Sequence, residues 1–118
     1  MAKLTLKNFG QENNQKLIPD IEVDKEHKLR FGKHIITIRK NSGHSICGVL
    51  IDVDSKFLFV GDDIIRTNDG KKILPYFAQN DIDLVGEALK SILVYSKDKV
   101  IIPGHGKIIA SRKQLMSD

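Results

Sequence analysis

The stretch "ICGVLIDVDSKFLFVGDD", residues 46 to 63, constrains the fold more than any other. Two apolar runs, each the length of a strand and rich in Val, Ile, Leu and Phe, flank "VDSK", where Asp54 and Ser55 are turn formers. Runs of this length around such a turn read as a β-hairpin. "KLRFGKHIITI" just upstream reads as another, with Gly32 supplying the turn conformation that β-branched residues resist.

The rest of the chain is arranged around these hairpins. Residues 1–17 are polar and read as a loosely ordered start, with "GQENNQ" as an exposed loop. "IEV" at 21–23 reads as a further short extended segment, and residues 64–79, punctuated by Asn68, Asp69, Gly70 and Pro75, as loop. "NDIDLVGEALKSILVYSKD" predicts the main helix: Asn80 or Asp81 can cap it, and Ile82, Val85, Leu89, Ile92 and Leu93 repeat at helical spacing. "KVIIP" predicts a buried strand, and Ser111 a cap for a short terminal helix. This order predicts one α/β domain over residues 1–118, a layered sandwich whose sheet is covered by helix on one face.

Composition narrows the functional classes. With 118 residues, 41% hydrophobic and 29% charged, the chain can bury a modest core and is not of disordered type. Tryptophan is absent, so Ile, Leu and Val must carry that core. The net charge of +4 is spread along the chain without a basic block, which permits nucleic acid as a partner but does not indicate it. A single cysteine, Cys47, excludes an intramolecular disulfide; it reads as a buried structural residue on an apolar strand. No signal-like or membrane-length apolar stretch occurs, and the expectation is a soluble cytoplasmic protein.

Chemistry concentrates at three positions. A hairpin that leaves His44, turns at Asp54-Ser55 and returns to Asp62 brings both residues to one open end, offset by roughly 10 Å at strand rise. If the strand ending at Ile102 joins the sheet with its C-terminal end there, His105 arrives at the same edge. Two imidazoles and a carboxylate suit zinc or a similar divalent ion. Taken alone, His44 in "SGHS" reads as a turn histidine and Asp62 in "VGDD" as a polar strand end. His105 resists that reading. Gly104 and Gly106 around it point to close backbone approach or positive φ. His27 reads as a solvated turn residue and His34 as a strand end. "LPYFAQ", with Tyr76 and Phe77, reads as a packed loop rather than a pocket wall, and "NDGKK" lacks the spacing of a phosphate loop.

Taken in order, "NSGHSICGVLIDVDSKFLFVGDD" and "VIIPGHG" resemble the second half of the metallo-β-lactamase fold superfamily. The resemblance runs from roughly Ile18 to Ile109. It implies half of an αββα sandwich, with a mostly antiparallel, mixed sheet, one main helix and a short C-terminal helix. It makes His44 a ligand of a first metal, Asp62 the carboxylate between two metals, and His105 a ligand of the second. In that family zinc, iron or manganese lowers the pKa of a bound water, which then attacks an ester, thioester, lactam or phosphodiester; the flanks are most similar to glyoxalase-II-like thioesterases. The family's His-x-His-x-Asp-His signature does not occur in this sequence, so the resemblance implies weak metal binding and little activity for this chain alone. It implies also an uncovered sheet face, hence self-association or pairing with a chain that carries the missing half. The alternative is a non-catalytic binding or structural remnant; a nucleic-acid-processing relative is a third reading, with no basic patch to support it.

Overall fold

The structure, a computed structural model, describes residues 18–116 apart from 46, 68, 70–72 and 76–81. Both expected hairpins form. Strands β1 (Glu26–Phe31) and β2 (His34–Lys40) pair antiparallel from Phe31↔His34 to Glu26↔Arg39. Gly32 takes φ +61 in their turn. Strand β3 (Val49–Val53) continues from β2 and pairs with β4 (Phe57–Gly61) through Ile51↔Phe59 and Val53↔Phe57. Asp54 and Ser55 both take left-handed φ in that turn, which Lys56 N–H closes by donating to Val53 O (3.0 Å).

The chain between the fourth strand and the last differs from the expected loop. Residues Ile64–Arg66 (β5) and Ile73–Pro75 (β6) pair as a small antiparallel ribbon, Ile64↔Pro75 to Arg66↔Ile73. Three residues per strand are too few to show an alternating pattern, and the turn-forming residues between them dominate the sequence signal. Helix α1 follows over Ile82–Tyr95. Of its expected stripe, Val85 and Ile92 are buried and Leu89 and Leu93 half-buried. The proposed cap, Asn80 or Asp81, and the Tyr76-Phe77 loop lie outside the described residues, as does the 1–17 start. Strand β7 (Val100–Pro103) then enters the sheet parallel to β4. The last element is α2 (Arg112–Met116), capped as expected by Ser111, whose Oγ accepts the Gln114 N–H at 3.3 Å.

The resulting mixed sheet has the order β1-β2-β3-β4-β7. This is the α/β architecture expected, a mixed main sheet with one main helix and a short terminal helix, to which the β5–β6 ribbon is added. One sheet face supplies Leu50, Leu58, Val60 and Ile101 to a core completed by Ile64, Ile92 and Ile109, with Leu89, Tyr95 and Leu115 packed against it. Each fully buried aliphatic side chain of this kind contributes about 1.5–3 kcal/mol relative to exposure. Among the described residues, no helix is long and apolar enough to cross a membrane.

Three smaller expectations are corrected. Residues 21–23 do not pair into the sheet, and β1 begins earlier, at Glu26, so His27 sits within a strand opposite Ile38 rather than in a turn. "EHK" lacks apolar alternation because β1 is an edge strand, held by pairing on one side. Cys47 lies in the turn before β3, half-buried, not on the strand itself.

Candidate functional site

The parallel pairing of β4 and β7 is what builds the site. Parallel neighbours end at the same sheet edge, and the register Gly61↔Pro103 places the residues that follow each strand side by side. Asp62 leaves β4 there, and His105 arrives from β7. Gly104 N–H donates to Gly61 O at 2.7 Å and locks the two strand exits together. A Cβ on Gly104 would stand 2.7 Å from Asp62 Oδ1 and 3.2 Å from the Gly61 carbonyl carbon, so a side chain there would displace the carboxylate. Gly106, at φ +89, presses against the backbone of Arg66, whose N–H donates to His105 O at 3.4 Å. Close approach and positive φ, the two reasons to expect glycine here, are thus both present.

The third residue comes from the opposite side of the sheet edge. The loop 41–48 folds back on itself, with Asn41 N–H donating to Gly48 O (2.8 Å) and Gly48 N–H to Ser45 O (3.1 Å). This fold closes the offset left by the hairpin. His44 Nε2 comes to 3.8 Å from Asp62 Oδ2, while His105 Nδ1 lies 2.7 Å from Asp62 Oδ1. The structure therefore brings together all three residues singled out in the sequence, each imidazole against a different oxygen of one carboxylate. His44 and Asp62 are partly covered, while the His105 side chain is 71% exposed.

A residue that sequence reasoning missed fixes this arrangement. Asp63 is buried; its Oδ1 accepts the His44 backbone N–H at 2.7 Å and its Oδ2 accepts the Asn41 side-chain amide at 2.6 Å. Burial pushes its carboxyl above the ordinary 3.8, against the lowering effect of the His44 and Asn41 hydrogen bonds, and the neighbouring Asp62 adds a smaller upward push. A Cβ on Gly43 would lie 2.5 Å from Asp63 Oδ1 and 2.6 Å from Ala88 Cβ, so glycine at 43 admits the carboxylate and the helix together. Arg66, also unforeseen, ties down the other loop: its Nη1 donates to Ile108 O at 2.7 Å. The available signal was the doubled carboxylate "DD", whose second member has no obvious role in a strand end.

The donor chemistry, two imidazoles and a carboxylate, fits a divalent cation in kind. It falls short in arrangement, since among the described residues no three His, Cys, Asp or Glu side chains form a group positioned to hold an ion. An ionised carboxylate can only accept, so a neutral His105 ring donates from Nδ1 to Asp62 and keeps its lone pair on Nε2. This carboxylate–imidazole pairing fixes the tautomer of the ring.

A mixed sheet with helices on one face, and two histidines and an aspartate gathered at one of its edges, defines an α/β protein of layered type. Among solved structures, the chain is similar to an archaeal metallo-β-lactamase superfamily protein from Sulfolobus tokodaii, with a TM-score of 0.66 and 26% identity. The match covers 80% of this chain and 36% of that one, so this chain spans little more than a third of the length of its neighbour. The likeness supports the superfamily. No protein-family model and no curated protein matches the sequence.

Proposed function

We propose that this chain is the metal-ligating part of a metal-dependent hydrolase of the metallo-β-lactamase superfamily, with His44, Asp62 and His105 as ligands. The observation that carries this reading is the placement of one imidazole against each oxygen of Asp62, at 3.8 Å and 2.7 Å, from three separate chain segments. A divalent ion held there, whether zinc, iron or manganese, would acidify water and polarise the oxygen of an ester, thioester or lactam. The glyoxalase-II-like thioesterase is the preferred member on the strength of the flanking sequence.

The chain's own residues would act as follows. His44 and His105 offer imidazole lone pairs, and Asp62 offsets the charge of the cation. Asp63 holds the backbone of His44, and Gly104 leaves the space that the Asp62 carboxylate occupies. Three donors shared between two ions leave each short of the three protein ligands usual for catalytic zinc. The reading is therefore of a site completed by further donors from another segment or chain, with weak binding and little activity in these residues alone.

A zinc titration followed by calorimetry on the 118-residue chain tests it. The expected result is measurable binding that falls at least tenfold in both His105→Ala and Asp62→Asn. Binding unchanged in both variants, or none at millimolar zinc, overturns it. A second reading, a non-catalytic remnant, is favoured by one observation: the 2.7 Å bond from His105 already occupies Asp62 Oδ1. In that case His105→Ala lowers the melting temperature of metal-free protein, and zinc restores nothing.

A further inference from the structure

The sheet end opposite the His–Asp–His rim holds a cleft that the site described above does not use. After His105 the chain turns back along β7, and Ile101 and Ile109 exchange backbone hydrogen bonds of 2.8 and 2.9 Å. That return carries Ala110 and Ser111 to the start of β7, beside the turn that leaves α1. Between the turn 97–99 and the first residues of α2 lies an open cleft of about 680 Å³. Val100, Ala110 and Met116 give it apolar wall. Lys97, Arg112 and Lys113 bring cations to it, and Asp98 is the one acid among its described lining residues that is not already paired.

Charge in this cleft is left largely uncompensated by the protein. The adjoining β3–β4 turn, whose Lys56 O accepts the Val100 N–H at 2.9 Å, offers no free carboxylate. Its Asp52 is taken by Lys99, and its Asp54 by the His34 ring and the Ile35 N–H. Among the described residues, Lys97 and Lys113 form no ion pair. Arg112 is half-buried, and its Nη1 donates to Leu93 O in the last turn of α1 at 3.4 Å. A guanidinium anchored through one nitrogen keeps its further donors for a second acceptor.

We propose that this cleft binds a phosphorylated small molecule of nucleotide size. Its volume falls within the about 300–1,000 Å³ of small-ligand sites. Arginine presents a planar fork of donors that suits phosphate oxygens, and the two lysines add point charges around it. Each phosphate group carries about −1.5 to −2 near neutral pH, so a pair of them meets these cations better than one carboxylate does. Val100, Ala110 and Met116 then offer a surface to the uncharged body of the ligand. The proposal does not depend on the metal reading, since it uses no rim residue and lies at the other end of β7.

Calorimetric titration of the full 118-residue chain with ADP, in the presence of EDTA to exclude metal-bridged binding at the rim, tests it. The expected result is saturable binding with a dissociation constant below about 1 mM, weakening as salt is raised. Arg112→Gln should weaken binding about tenfold. Because Arg112 also holds the end of α1, the double change Lys97→Gln, Lys113→Gln reads the same loss without breaking a bond among the described residues. Lys25→Gln, beside the opposite end of the sheet, leaves binding unchanged. Pyrophosphate should bind more weakly than ADP, because it has no body to meet Val100 and Met116. No binding at about 5 mM ADP overturns the proposal. So does binding retained in both cleft variants, or an equal loss in Lys25→Gln. Pyrophosphate that binds as tightly as ADP overturns it as well, since the cleft would then select charge alone.

Discussion

Asp63 holds His44 by its backbone: the carboxylate Oδ1 accepts the His44 N–H at 2.7 Å, while the neighbouring Asp62 faces the His44 ring. Adjacent aspartates thus divide two tasks, one fixing where the histidine stands and the other meeting its side chain. Removing Asp63 strands two buried donors, the His44 amide and the Asn41 side chain, at about 1–3 kcal/mol each. Asp63→Ala should therefore lower unfolding stability by about 2–6 kcal/mol in urea titrations, and Asp63→Asn, which keeps the acceptor for His44, by less.

The glycines around His105 predict a graded cost. Gly106→Ala adds a Cβ against the Arg66 carbonyl at φ +89, whereas Gly32→Ala meets open space at φ +61. Left-handed backbone alone costs an L-residue about 1–2 kcal/mol. Gly32→Ala should lose about that much, and Gly106→Ala clearly more, because the backbone of β5 must also move. Parallel thermal melts of the two variants check the order.

The far end of the sheet supplies a pH dependence. Asp54 is held below its ordinary 3.8 first by the hydrogen bond from the His34 ring, then by the Ile35 N–H. A depressed carboxyl stabilises the fold above the unfolded value of 3.8, and that contribution is lost as pH falls through the lower folded value. Asp54→Asn should flatten the stability profile below about pH 4; an acid limb identical to wild type would contradict this.

Under the hairpin, Lys99 Nζ donates to Asp52, and both side chains are largely buried. Deleting one partner leaves the other charge enclosed without compensation, which typically costs about 3–5 kcal/mol. Lys99→Met should show that loss in chemical denaturation, and the double change Lys99→Met, Asp52→Asn should recover part of it.

Much of this molecule was legible from residue order. Apolar runs on either side of Gly32 and of Asp54-Ser55, with turn-forming residues between them, specified both hairpins. The same hairpin logic brought His44 near Asp62, and the glycines around His105 marked close backbone approach. What stayed hidden depends on contacts between distant segments. The β5–β6 ribbon is too short to carry a period. Asp63 becomes a positioning residue only because loop 41–44 and helix α1 close over it; the doubled carboxylate of "GDD" marks the position without saying what it holds. Arg66 likewise gains its role from a backbone carbonyl, Ile108 O, more than forty positions away.

The side-by-side exit of β4 and β7 has a consequence for how this rim comes into being. Parallel neighbours cannot be joined by a tight turn, so the ribbon and helix α1 must be traversed before His105 can meet Asp62, 43 positions earlier in the chain. No short fragment can hold the pair, and any break between the two strands leaves its closure to chance encounter. The Asp62–His105 contact is therefore a long-range one, made only where the chain has returned through the crossover to the sheet edge it left.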